Sequence, residues 1–201
     1  GKEVLLAASL PPLETSYRSD LILERTSMDH MYGELASILE NNVDIVICET
    51  MSHSQEAMSA LTSIQNLKSQ KWLAWTIYGN QNTLPSGETI TEAFDVISDL
   101  ECDAYLINCG GANLITEGIK ELKPLTNKPI GGYGNSEIIE ISKKDRSDRP
   151  EEDHWSSATA INEKEYAQEA QIWVEEGATI IAGCCRTRPS HIAEISKTLK
   201  N

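Results

Sequence analysis

Two cysteines stand side by side at Cys184 and Cys185, directly after Gly183, where an apolar run (179–184) gives way to the polar Arg186 and Thr187. Inside a regular strand neighbouring side chains point to opposite faces, so the pair could not serve one centre there. At a strand's last residue the chain turns, and both sulfurs can swing to one point. Cys109 closes another apolar run, just before Gly110-Gly111. Three thiolates on one centre would leave the fourth tetrahedral position of Zn²⁺ open, as a reactive rather than a purely structural site requires. Buried packing of free thiols is the plain alternative, and it suits Cys48 and Cys102. A redox pair is the other, but vicinal cysteines form a strained ring and no Cys-x-x-Cys is present.

Glu49 closes a third apolar run beside Thr50. A carboxylate there would suit a substrate ammonium group, or would simply face solvent at a strand–helix junction. Asn108 beside Cys109 is read either as a contact to substrate or to the cysteine, or as a turn cap. Among the histidines, His191 after Pro189 reads as structural, and His53, four residues past Glu49, as either within reach of the site or a solvated residue at a helix N-terminus. His30 and His154 read as surface groups. The runs Gly131-Gly132-Tyr133-Gly134 and Gly110-Gly111 match neither phosphate-binding fingerprint.

The elements that must position these residues alternate along the chain. Strands are expected at 4–9, 44–49, 72–77, 104–109, 129–134 and 179–184, short and apolar without strict alternation, as strands covered on both faces are. Helices are expected at 29–40 (Met31, Leu35, Ile38 and Leu39 inward), 54–67 (Ala57, Met58, Leu61, Ile64), 91–100 (Phe94, Ile97, Ser98; Thr89 or Thr91 as cap), 112–122, 163–176 and 190–200. Asn162 and Ser190 read as caps and Gly177 as a helix stop. Six strand–helix units imply a parallel α/β sheet. Either an open doubly wound sheet or a (β/α)₈ barrel would gather the strand ends on one face. A complete barrel has eight units, two more than are visible. The polar stretch 137–157 reads as a long loop, a lid or a surface excursion. The chain reads as a single domain, 1–201, that begins in the middle of a fold.

Composition narrows the partners. Seventeen Lys and Arg against 31 Asp and Glu leave a net charge of −14, a field that disfavours nucleic acid and anionic membranes. The longest apolar runs are far too short to span a bilayer. Five cysteines, an odd number, suggest reduced thiols and a cytoplasmic protein.

Four segments together resemble the homocysteine S-methyltransferase family. AGCCRTRPSHI (182–192) resembles its terminal signature of a glycine, two zinc-binding cysteines and a Pro-x-His-Ile. LINCGG (106–111) is similar to its Asn-Cys motif. DIVICETMSH (44–53) resembles its strand ending in an acid, and LAASLPPLETSYRSD (6–20) its early Pro…Tyr-Arg stretch. The resemblance runs in register along the whole chain, with Ala182 where the family usually has a second glycine. The family's opening Asp-Gly-Gly strand and about its first two β/α units have no counterpart. The resemblance implies a (β/α)₈ barrel, with Cys109, Cys184 and Cys185 as ligands of Zn²⁺. It implies Glu49 at the substrate's amino group and Asn108 in the substrate pocket. The implied reaction moves a methyl group from S-methylmethionine or S-adenosylmethionine to the thiol of homocysteine, giving methionine. No catalytic group is expected beyond the metal site, no nucleic acid or membrane is expected as a partner, and a homo-oligomer stays open. The rival readings are a non-catalytic zinc-binding barrel fragment or scaffold, and a phosphate-binding barrel lyase.

Overall fold

Each short apolar run finds a parallel neighbour, and the helices between them supply the crossovers that parallel pairing demands. The computed structural model describes residues 4–39, 42–77, 82–139 and 158–200. Its strands are β1 (Ala7–Leu10), β2 (Ile45–Met51), β3 (Gln70–Trp75), β4 (Ala104–Gly111), β5 (Ile130–Asn135), β6 (Glu137–Ile139), β7 (Ala158–Ala160) and β8 (Ile180–Ile181). Six of them form one parallel sheet in the order β1-β2-β3-β4-β5-β8, while β6 and β7 form a small antiparallel pair. The helices are α1 (Arg25–Leu39), α2 (Ser54–Ser63), α3 (Ile90–Ile97), α4 (Ala112–Leu122), α5 (Glu163–Glu175) and α6 (Pro189–Thr198).

Strand alternation sorts the core into two faces. Val46, Cys48, Leu73, Trp75, Tyr105 and Ile107 pack with the buried residues of the helices. Ile47, Trp72, Ala74, Leu106, Tyr133 and Ile180 form a separate, smaller cluster to which no described helix residue belongs. The helix-covered face therefore holds most of the burial, and the other face carries the aromatic hydroxyl of Tyr133.

Local signals hold most of these elements in place. Thr89 and Glu92 form a capping box on α3, and Asn162 and Glu165 form one on α5. Gly177 takes φ +113° just past α5, a left-handed stop that glycine accepts without strain. Pro189 sits in the first turn of α6, whose free Arg188 N–H is met by His191 Nδ1 at 3.1 Å. Ser190, expected as that cap, instead donates to Glu163 Oε1. Ser98 is exposed rather than inward, because α3 ends at Ile97.

Two expectations change at the start of the chain. Pairing of the first strand begins at Leu6, whose carbonyl accepts from Asp44 and Ile45, so Val4 and Leu5 run ahead of β2's first residue and stay exposed. Helix α1 starts four residues earlier than expected and buries Met28, Tyr32 and Ala36, leaving Met31, Leu35 and Ile38 exposed. Polar anchoring sets this rotation. Tyr32 Oη lies 3.1 Å from the carbonyl of Pro11 and 3.3 Å from the buried carboxyl of Glu56 on α2, which also accepts from Leu13 N–H. Burial pushes the Glu56 carboxyl above its ordinary range, so it joins three segments at an electrostatic cost. Residues 140–157 of the stretch read as a long loop, a lid or a surface excursion, His154 among them, lie outside the described residues. Residues 137–139 of that stretch are β6 rather than loop.

The glycine run of β5 has a packing cause. A Cβ on Gly132 would lie 2.2 Å from Ile115 Cγ2 on α4, and one on Gly131 would lie 2.2 Å from the carbonyl of Ile180 on β8. Gly132→Ala should therefore destabilise the fold by about 1–3 kcal/mol through overpacking. Combining it with Ile115→Ala, which removes the clashing methyl, should cost clearly less than the two single losses added. Urea unfolding of the four proteins checks that non-additivity.

Candidate metal centre at the strand ends

The carboxyl ends of β2, β4, β5 and β8 and the loop after β1 meet at one place. Regular strands would not bring their chemistry together there, and two bulges solve the problem. The β2–β3 register shifts between Cys48 and Met51, and the β4–β5 register between Asn108 and Gly111. At each shift one residue takes the left-handed region: Thr50 at φ +61° and Cys109 at φ +57°. This conformation is costly for a β-branched threonine and uncommon for cysteine. In β4, Leu106 faces the inner cluster and Ile107 the helices, so Asn108 would turn inward and Cys109 outward again. The bulge re-aims Cys109.

The result is a cluster of three sulfurs. Cys109, Cys184 and Cys185 each offer an Sγ, and these atoms all lie within 4.8 Å of one another. The Cys109 and Cys185 sulfurs are 3.7 Å apart. Four ligands at a Zn–S distance of about 2.3 Å set tetrahedron edges of about 3.8 Å, so the observed spacing suits such an ion. Cys109 is buried, Cys184 half-buried and Cys185 exposed, so the cluster opens to one side.

Backbone contacts fix the cysteines. Cys184 N–H donates to the carbonyl of Gly134 and Ala182 N–H to that of Gly132, which extends the β8 ladder past its last strand residue. Gly183 must be small, since a Cβ there would lie 2.5 Å from Thr187 Oγ1. Asn135, at the end of β5, joins both halves of the cluster. Its Nδ2 donates to the carbonyl of Cys109 (3.2 Å) and to Glu137 Oε1, while its Oδ1 accepts from Cys185 N–H (3.1 Å). The fully buried Glu137 is ion-paired through Oε2 to Arg186, 2.8 Å away, in a contact out of line for a hydrogen bond. Arg186 is itself left-handed, at φ +63°.

The other expected residues are placed as follows. Glu49 faces the inner cluster, half-buried, and its Oε2 accepts from Tyr133 Oη at 2.8 Å. Burial and then the Glu49 carboxylate push the Tyr133 phenol well above its ordinary value. Asn108 is fully buried and exchanges two hydrogen bonds with Thr50: Thr50 N–H to Oδ1 at 3.0 Å, and Nδ2 to Thr50 Oγ1 at 2.8 Å. It clamps one bulge to the other. Cys48 and Cys102 are buried away from the cluster, and burial raises both thiols, that of Cys102 to about 12. His53 caps α2, with Nδ1 accepting from Gln55 N–H. His191 is buried, with Nδ1 accepting from Arg188 N–H, so its Nε2–H donates to Ser136 Oγ, 3.0 Å away. Sequence reasoning had not singled out Tyr17, Asn135, Glu137 or Arg186. The available signal was a polar residue directly after an apolar run, as at Asn135. Tyr17 stands in the Tyr-Arg of the family-like segment 6–20, but nothing local ties it to Cys109, 92 positions away.

The electrostatics follow from this crowding. The thiol hydrogen bond from Cys184 is the main cause that pulls Cys109 down to about 6, against burial, with Tyr17 and Cys185 adding hydrogen bonds. Cys184 moves far upward, chiefly as the donor in that bond, and burial raises Cys185. The metal-free cluster thus gives up one proton early, as a unit, and keeps two. Since the depressed group is an acid, its contribution to stability is complete above the ordinary thiol value of roughly 8.5. It is lost as pH falls through about 6. Metal-free protein should show a thiolate absorbance that titrates near that lower value and a urea midpoint that falls with it. Both should vanish in Cys109→Ser.

Comparison with known proteins assigns the family. A family model described as homocysteine S-methyltransferase matches residues 1–199, and the chain belongs to that family. It is 29% identical over 189 residues to homocysteine S-methyltransferase 1 of Brassica oleracea var. italica, covering 92% of this chain and 55% of that protein. It is 28% identical to the selenocysteine methyltransferase of Astragalus bisulcatus, over 90% of this chain and 52% of that one. With the homocysteine S-methyltransferase YbgG of Bacillus subtilis (strain 168) the figures are 29%, 96% and 60%. The chain thus spans little more than half the length of these relatives. Among solved structures, the metallated form of the homocysteine methyltransferase MmuM from Escherichia coli superposes with a TM-score of 0.73 at 21% identity. That match covers 96% of this chain and 61% of MmuM, and it shows a shared fold.

Proposed function

We propose that this chain acts as a zinc-dependent methyltransferase that passes a methyl group from a sulfonium donor, S-methylmethionine or S-adenosylmethionine, to the thiol of homocysteine, giving methionine. In this reading 1–201 is one domain, and its six β/α units are six of the eight in a (β/α)₈ barrel. Cys109, Cys184 and Cys185 hold Zn²⁺. The observation that carries the reading is the sulfur triad itself, three Sγ atoms within 4.8 Å of one another, with the Cys109–Cys185 pair at 3.7 Å and the cluster open on one side.

When bound, the zinc would supply Lewis acidity that keeps the substrate thiol deprotonated at neutral pH. The chain's own residues supply the rest. Glu49 offers a carboxylate oxygen on the inner face for the homocysteine ammonium, and Tyr133 Oη holds that carboxylate in place. Asn108 acts one step back, fixing Thr50 and the bulge that aims Cys109. No general acid is needed, because a sulfonium donor leaves as a neutral thioether. Orienting the two substrates and excluding water then carry the rate. A net charge of −14 favours a cationic donor. Among the described residues no helix is long and apolar enough to cross a membrane. Five free cysteines support a reducing compartment such as the cytoplasm.

Zinc content and methyl transfer test this on protein purified under reducing conditions. Wild type should carry about one zinc per chain, and Cys109→Ser should lose it. Glu49→Gln should keep the metal but raise the KM for homocysteine by about tenfold or more, through loss of a charged hydrogen bond. Zinc without methyl transfer would leave the non-catalytic scaffold reading, and wild type without zinc would overturn the metal site.

A further inference from the structure

Tyr17 lies in the loop after β1, far in sequence from the sulfur cluster, yet its hydroxyl is placed against it. Its Oη is 2.8 Å from Cys109 Sγ and 2.9 Å from the Cys109 carbonyl oxygen. The backbone there is left-handed, at φ +70°, uncommon for an aromatic residue and a sign that the surrounding structure enforces it. Resting on the reading that the triad holds a metal, we infer that Tyr17 is a positioning residue that donates its phenolic proton to the Cys109 thiolate and so tunes that ligand.

The allocation of the proton follows from the neighbouring bonds. One O–H serves two acceptors here, and they are not equally needy. The Cys109 carbonyl already receives Asn135 Nδ2 at 3.2 Å, so it stays satisfied when Tyr17 turns to the sulfur. A thiolate has no proton of its own to offer, so in the ionised or metal-ligated cluster Tyr17 can only be the donor. The hydrogen bond withdraws electron density from one sulfur and lowers the repulsion among three anionic ligands. It also fixes the direction of the Cys109 lone pairs, as groups hydrogen-bonded to metal ligands do elsewhere. The aromatic ring keeps the contact rigid, having only two side-chain torsions to settle.

Cobalt(II) is the probe, since thiolate-to-cobalt charge-transfer absorption reports electron density on sulfur without any turnover. Wild type and Tyr17→Phe would be titrated with Co²⁺ alone, with circular dichroism to confirm the fold. The expected result is the same stoichiometry in both, a charge-transfer band displaced to lower energy in Tyr17→Phe, and about tenfold or more weaker binding. A ring-fluorinated tyrosine installed at position 17, a stronger donor that leaves the packing unchanged, should displace the band the opposite way. This second arm keeps the inference testable should the phenylalanine variant not fold. An unchanged band and affinity in variants that bind Co²⁺ normally would overturn the role of Tyr17 and leave the metal site standing. No thiolate band in wild type would overturn both.

Discussion

Two left-handed residues in the middle of a parallel sheet hold the rest of this molecule to its task. Thr50 and Cys109 each interrupt a strand ladder with a bulge, and neither residue type favours that conformation. The bulges persist because the polar side chains around them leave no alternative. Asn108 closes two hydrogen bonds on Thr50, and Asn135 reaches the carbonyl of Cys109 and the amide of Cys185 with one side-chain amide. These groups are buried, so loosening either bulge would strand donors and acceptors away from water. Strain at the strand ends is thereby balanced by satisfied polar groups.

The helix layer explains why the strand ends can be held so still. Gly131, Gly132 and Gly134 leave no space between β5 and the α4 side chains or the β8 backbone, so β5 has little freedom to shift. Tyr166 Oη then accepts the duty of tying β5 to the segment after β8, donating toward the carbonyls of Gly134 (2.7 Å) and Ala182 (3.0 Å). His191 stacks edge-on against the same ring and holds Ser136. A chain of buried contacts therefore runs from helix α6 through α5 to the residues that flank Asn135 and Cys184.

Legibility in the sequence tracks how local the physics is. The six strand–helix units and the caps at Thr89, Asn162 and Gly177 are written in neighbouring residues, and they were read there. The cysteine cluster was legible because Cys184 and Cys185 are adjacent and each partner closes an apolar run. Helix α1 was misread because its rotation is decided by Tyr32, which bonds to Pro11 and Glu56 rather than following the apolar stripe of Met31, Leu35 and Ile38. Tyr17 stands in a family-like segment and Asn135 directly after an apolar run, but what either of them contacts was not legible. Their partners lie 92 and 50 positions away, and no local pattern encodes such a meeting.

The charge balance of the cluster bears on the proposed metal-binding reading. Three thiolates within 4.8 Å of one another would repel strongly, and the metal-free triad avoids this by giving up one proton as a unit and keeping two. Glu49 adds a further negative charge that opposes ionisation of Cys109. Packing alone would not assemble such a group, since apolar side chains of similar size would fill the space without repulsion or strained backbone. A soft divalent cation changes the sign of the problem. It would make each deprotonation favourable, and under the proposed function the close sulfurs that repel without it would become its ligands. On that proposal the strained bulges, the shared asparagine and the small Gly183 are coherent as devices that keep three sulfurs close enough to share one ion.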